Sequence, residues 1–143
     1  MIIIREAEIV DVPQLLALYQ ELIPIKLSPK EAEQTALKLI NDKNYFLVVA
    51  KEEDEVLGTA LGICCQAVTV PFLVIEDVVV KEGTRGKGIG RKLMAALDEF
   101  AIGSNCAYAI LVSSGHRTVA HQFYENVGFT EDVRGFRKSY IDM

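Results

Sequence analysis

Apolar residues recur along the chain with two different periods, and the switches between them mark the elements. The run IIIREA at residues 2–7 predicts an opening strand. Asp11, with Gln14 three residues on, reads as a capping box before a helical stripe of Leu15, Leu16, Leu18, Tyr19 and Leu22. Ser28 as N-cap, Pro29 at the first helical position and Glu31 three after the cap predict a second helix, carried by Ala32, Ala36, Leu37 and Ile40. YFLVVAK and the long run from Val56 follow as strands, with the charged EEDE between them suited to a hairpin turn.

Residues 56–75, VLGTALGICCQAVTVPFLVI, are twenty positions without a charge, long enough for a helix to cross a bilayer. Two glycines, two threonines, Gln66, Pro71 and many β-branched residues instead favour two covered strands with a break before Phe72. A further run, FLVIEDVVV, leads into a glycine-rich segment, after which Ile89, Leu93, Leu97 and Phe100 take up helical spacing until Gly103. CAYAILVSS returns to a strand. Val119, Ala120, Phe123, Tyr124 and Val127 form a last helical stripe that stops at Gly128, a natural left-handed cap with Phe129 packing back. FRKSYI can close the sheet. The order is strand, two helices, three strands, helix, strand, helix and one or two strands, an α/β (α+β) sandwich built on a mixed sheet.

At 143 residues, half of them apolar, the chain is expected to form one domain over residues 1–143. A formal charge of −5 argues against a nucleic-acid partner, which needs clustered cations over a face. The start carries Arg5 and two glutamates where a signal peptide needs an apolar core, so a cytoplasmic location with no membrane partner is expected. Cys64, Cys65 and Cys106 form no CxxC pair and have no histidine at metal spacing, so no metal is expected; they read as small apolar residues of buried strands.

Against that acidic background, residues 81–92 hold Lys81, Arg85, Lys87, Arg91 and Lys92 against Glu82 alone, a net of +4. The Walker A spacing fails, because Lys87 is followed by Gly88 and the position five before Gly86 is Lys81. The dinucleotide spacing fails because its third glycine would fall on Arg91. What fits is Arg85-Gly86-Lys87-Gly88-Ile89-Gly90 at a strand-to-helix junction. The first N–H groups of a helix lack internal partners and carry the positive end of its dipole, and glycine lets a ligand approach them. A diphosphate is the natural occupant.

IEDVVVKEGTRGKGIGRKLM together with AHQFYENVGF, in this order and with a strand between, resembles the GNAT superfamily of acetyltransferases, and the likeness runs from the first helix through the last strand. The resemblance implies a mixed, mostly antiparallel sheet of six to seven strands with helices on both faces. It implies that the diphosphate belongs to acetyl-CoA, used as a cosubstrate and held by main-chain N–H groups from Arg85 to Gly90, with Arg91 following. It implies that the strand ending at Val80 splays from its parallel neighbour near Leu111 to Ser113, so that backbone at Val78, Val79 and Val80 meets the pantetheine arm. A Val79 N–H beside the thioester carbonyl would stabilise its oxyanion.

Tyr124 falls where such enzymes place a tyrosine near the cofactor sulfur. A phenol of pKa about 10 stays protonated at neutral pH and can protonate a thiolate whose acid has pKa about 8.5. The bland reading of Tyr124 is an aromatic on the stripe with Ala120 and Val127. A primary amine must lose a proton before it attacks, and Glu76, on the strand leading to the site, is the best candidate base, directly or through water. Strand alternation sends Asp77 to the other face, which leaves open which of the two meets the substrate, and the bland reading of the pair is strand carboxylates that fix a loop or attract a cation. Many members carry Asn where this chain has Arg117; an arginine cannot accept a hydrogen bond, and it could instead meet a cofactor phosphate or cap a nearby carboxylate. His116 and His121 read as surface or capping residues. The cysteines lack a neighbouring base, which disfavours a covalent route.

The expected activity is acetyl transfer to a primary amine of a small molecule or protein by direct attack in a ternary complex. The alternative is a non-catalytic acyl-CoA-binding or sensing module, which would have no need of Tyr124 or of the carboxylates at 76 and 77. An unrelated nucleotide-phosphate enzyme is disfavoured by the failed spacings. Nothing in YQELIPIKLSPKEAE or RGFRKSYIDM names the amine, and a homodimer would be in keeping with proteins of this kind.

Overall fold

The computed structural model describes residues 1–84, 86–113 and 118–142. Five strands form one sheet in the order β1 (Ile2–Glu6), β2 (Tyr45–Glu52), β3 (Glu55–Cys65), β4 (Phe72–Val80) and β5 (Ala109–Leu111), antiparallel except for the β4–β5 pair. The helices are α1 (Val12–Tyr19), α2 (Pro29–Ile40), α3 (Ile89–Gly103) and α4 (Thr118–Asn126). Residues 56–75 do form two strands around a break at residues 66–71, and among the described residues no helix is long and apolar enough to cross a membrane.

Both sheet faces are covered, as the continuous apolar runs of β2 and β3 require. On one face Val48, Ala50, Leu57, Leu73 and Ile75 pack under Ile89, Leu93 and Leu97 of α3, with Phe123 and Tyr124 of α4 and Val127 just after it against the same core. On the other, Leu47, Val49, Val56 and Val79 meet Leu15 and Leu18 of α1. Gly58 and Gly62 of β3 let α3 lie close: a Cβ at Gly62 would come 2.8 Å from Leu97 Cδ2. The Ser28 Oγ accepts the Glu31 N–H at 3.2 Å, the expected cap of α2.

Asp11 does not cap α1. Its buried carboxylate instead accepts from Arg5 at 2.9 Å, Lys51 at 2.8 Å and the Glu8 N–H at 2.9 Å. Gln14 likewise serves a distant strand, donating to Asp54 O and accepting from Val56 N–H, both at 2.8 Å. Asp11 is thus taken by two cations, one of them forty residues away in sequence, and Gln14 by backbone groups at the β2–β3 turn rather than by the local helix end.

Two expectations about strands are corrected. Among the described residues the sheet has five strands, and none follows α4. In residues 131–142 Arg137, Lys138 and Ser139 separate Phe136 from the adjacent Tyr140 and Ile141, and all three apolar side chains stay exposed, so no two-residue alternation offers a face to bury. The strand expected over CAYAILVSS narrows to Ala109–Leu111, which places Cys106 in the turn after α3. All three cysteines are half-buried rather than buried, and Cys64 and Cys106 sulfurs lie 3.6 Å apart.

Candidate active site

The site begins with an irregularity in β4. Thr59 pairs with Val79 and Leu61 with Glu76, so Asp77 and Val78 stand opposite the single residue Ala60. This is a β-bulge, and within it Asp77 takes a left-handed φ of 52°. The extra residue resets the alternation: Leu73 and Ile75 before it, and Val78 and Val80 after it, all face α3. Asp77 and Val79 face α1. Glu76, one position past Ile75, falls on the α1 face as well, so the two carboxylates share a face and the expected separation of Asp77 from Glu76 is overturned. Burial, together with the charge of Asp77, pushes the Glu76 carboxyl above its ordinary range, and burial does the same to Asp77.

The β4–β5 pairing runs Leu73–Ala109, Val74–Ile110 and Ile75–Leu111 and then stops, while β4 continues to Val80. Among the described residues that edge of β4 has no strand partner past Ile75. On the other edge, Lys81 N–H donates to Leu57 O at 2.7 Å. The alternation of an antiparallel ladder then turns the Val79 N–H toward β3 and the Val80 N–H toward the open edge. Val79 is therefore ill placed as an oxyanion donor, and its side chain is buried on the α1 face.

A cavity of about 650 Å³ opens beside that edge, between the start of α3 and α4. It is lined by Val78, Val80, Gly86, Gly88, Ile89, Gly90, Arg91 and Tyr124, bringing together eight residues expected from sequence. Thr84, Thr118, Val119, Ala120 and Phe123 complete it. Thr84 carries no signal beyond its place in the loop; its hydroxyl donates to Lys81 O at 2.6 Å and tightens the turn. Phe123 and Ala120 were visible only as a helical stripe. Arg85, His116 and Arg117 lie outside the described residues.

The glycines divide into two roles. Gly86 and Gly88 have φ of 89° and 68°, and a Cβ at either would meet nothing within 4 Å, so the space over the loop is open. Gly88 is the N-cap of α3, and among the described residues no side chain caps that end or places an acid in its first turn. The first N–H groups of α3 are thus available to an anion. Gly90 differs: a Cβ there would sit 3.0 Å from Phe123 Cζ, so its bareness serves the α3–α4 contact.

The cationic excess of the segment is smaller in three dimensions than along the chain. Lys87 reaches Glu52 at 3.0 Å and Lys81 reaches Glu55 at 3.3 Å, both across the β2–β3 hairpin end. Lys87 does not line the cavity; among the described cations of the segment, Arg91 does. Tyr124 sits on α4 between Phe123 and Phe129, ring centroids 5.4 and 6.1 Å away. Gly128 has the expected left-handed φ of 108°, and the Phe129 N–H donates to Tyr124 O at 3.0 Å, which fixes the end of α4.

On the opposite face, a cavity of about 340 Å³ lies beneath α1, α2 and their connection, and Asp77 lines it while Glu76 does not. Tyr19 lines it too. Burial pushes its phenol up to about 12, with the Asp77 charge adding and a hydrogen bond with Thr59 opposing. Among the described residues no cluster of His, Cys, Asp and Glu could hold a metal ion.

An uncapped glycine loop at a helix start lies beside a strand edge that, among the described residues, loses its partner after Ile75. The model of the Acetyltransferase (GNAT) family matches residues 13–129, and the chain belongs to that family. A putative acetyltransferase from Agrobacterium tumefaciens str. C58 superposes with a TM-score of 0.88 at 32% identity, over 96% of this chain and 99% of that one. Glucosamine-6-phosphate N-acetyltransferase from Arabidopsis thaliana shares the fold with a TM-score of 0.88 at 23% identity, over 99% of each chain. The glucosamine 6-phosphate N-acetyltransferase of Trypanosoma brucei brucei is 36% identical over 63 residues, 44% of this chain and 41% of that protein's length.

Proposed function

We propose that the chain moves the acetyl group of acetyl-CoA to a primary amine by direct attack in a ternary complex. The observation that carries this reading is that Val78, Gly86, Gly88 and Tyr124 line one cavity beside the unpaired edge of β4. The open space over Gly86 and Gly88 and the uncapped start of α3 fit a diphosphate, so acetyl-CoA suits the residues present. When bound, it supplies an acetyl thioester.

The N–H groups from Gly86 to Arg91 hold the diphosphate, each such bond to a charged group contributing about 1.5–3 kcal/mol before desolvation and ordering costs. Arg85 and Arg117 add charge to the phosphates. The Val80 N–H and the backbone at Val78 take the pantetheine amides along the open edge, as an added strand would. Tyr124, held by Phe123 and Phe129, protonates the departing sulfur. Glu76 accepts the proton of the acceptor ammonium, directly or through water; its raised pKa makes its carboxylate a stronger base than an ordinary glutamate.

A non-catalytic sensing module would need the cavity between α3 and α4 but not a pair of carboxylates on the far face of the same strand. The test is acetyl-CoA-dependent thiol release over a panel of amines, with Tyr124→Phe as control. Acceptor-dependent release that falls sharply in the variant supports transfer. Stabilisation by acetyl-CoA without release with any amine supports sensing.

A further inference from the structure

The cavity under α1 and α2 has the chemistry of an acceptor site with a definite preference. Its walls are mostly aliphatic, with Leu15, Leu16, Leu22, Ile23, Leu39 and Leu61 among them. At about 340 Å³ it falls at the small end of the roughly 300–1,000 Å³ typical of small-molecule sites. Among the described residues its charged lining is one cation, Lys26, and one anion, Asp77, which together offer a phosphate no net attraction. A sugar phosphate would lose hydration at each hydroxyl against walls that return few hydrogen bonds.

Asp77 supplies the polar anchor. The bulge aims it into this cavity, while its chain neighbour Val78 lines the cavity between α3 and α4. Among the described residues Asp77 has no ion pair, in contrast to Asp11, Glu52 and Glu55. Burial raises its pKa, the mark of a carboxylate short of a cation. Tyr19 beside it stays neutral to about pH 12 and can share the hydrogen bonds of an ammonium without competing for charge.

Building on the acetyl-transfer reading, we infer that this cavity holds the acceptor and selects an amine carried on an apolar body, an alkyl or arylalkyl amine, over a phosphorylated sugar amine. The ammonium rests on Asp77 next to the position where Val78 meets the cofactor, and the apolar body fills the space under α1 and α2. Asp77 thus determines specificity, while Glu76 on the same face removes the proton.

The test compares 2-phenylethylamine with glucosamine 6-phosphate on the full chain, by thiol release from acetyl-CoA and by calorimetric titration in the presence of coenzyme A. The expected kcat/KM is at least about ten-fold higher for 2-phenylethylamine, and Asp77→Asn weakens its binding by about ten-fold or more. Ile23→Trp, at a wall position 46% exposed and so tolerant of bulk, raises its KM several-fold. Coenzyme A shifts the melting temperature of both variants as it does the parent, which shows that they fold. A preference for glucosamine 6-phosphate, or unchanged 2-phenylethylamine binding in Asp77→Asn, overturns the assignment. If no amine is acetylated although 2-phenylethylamine binds through Asp77, the transfer reading fails and the cavity assignment stands.

Discussion

Gly90 and Phe123 touch where α3 crosses α4, so closely that a Cβ on Gly90 would lie 3.0 Å from Phe123 Cζ and 3.3 Å from Cε1. Phe123 in turn contacts Tyr124 edge-on. The third glycine of the loop therefore sets the position of the proposed acid. Gly90→Leu is expected to displace α4 and cost about 1–3 kcal/mol by overpacking. Thermal denaturation reads the stability, and turnover should fall more than coenzyme A affinity does.

Tyr124→Phe removes a hydroxyl and keeps the ring between Phe123 and Phe129. If the phenol protonates the thiolate, kcat falls by roughly 10²-fold while coenzyme A affinity stays within about two-fold of the parent. Steady-state kinetics paired with calorimetry separate the two. An unchanged kcat would assign Tyr124 to packing alone.

Asp11 anchors the start of α1 to the sheet. Burial by itself would raise its pKa, but the bonds from Arg5, Lys51 and the Glu8 N–H outweigh that and hold it below the ordinary 3.8. A depressed folded value means that its contribution is present above the unfolded value and is lost as pH falls through the folded one. Asp11→Ala should cost about 3 kcal/mol or more, because Arg5 and Lys51 lose their buried partner. Urea titrations at pH 7 and at pH 2.5 should show the difference between parent and variant shrinking in acid.

Asp77 behaves in the opposite sense. Its folded pKa lies above the ordinary 3.8 because burial disfavours the charge, so the stability linked to its proton is present below that value and lost as pH rises through the folded one. At neutral pH the ionised carboxylate opposes folding. Asp77→Asn, which also suits a φ of 52°, is expected to raise stability at pH 7 by less than about 1 kcal/mol, given the side chain's exposure, while lowering activity. Melting temperatures of parent and variant compared at pH 7 check the first part.

The legible features were those set by local pattern. Ser28 with Pro29 and Glu31 marked the start of α2, and Pro71 with Gln66 divided an uncharged run into β3 and β4. Gly86 and Gly88 marked an open loop because left-handed backbone at a helix start leaves a sequence trace. The bulge at Asp77 left none: FLVIEDVVV reads equally well with or without an inserted residue, since apolar residues sit on both sides of it. Lys87 with Glu52, and Asp11 with Lys51, depend on which loops meet in space, and spacing along the chain carries no record of that. The absent strand after α4 has the reverse cause, for Phe136 and Tyr140 suggested a strand on composition while their neighbours supplied no alternating face.

The central proposal is that main-chain amides around Gly88 grip the diphosphate. Calorimetric titration of coenzyme A and of pantetheine, which lacks the diphosphate, tests it on the parent, Gly88→Val and Gly83→Val. Gly83 has a comparable φ of 85° and open space around it but does not line the cavity, so it controls for backbone strain. Coenzyme A should bind the parent and Gly83→Val at least about 100-fold more tightly than pantetheine, and Gly88→Val should lose most of that ratio. A ratio unchanged in Gly88→Val would contradict it.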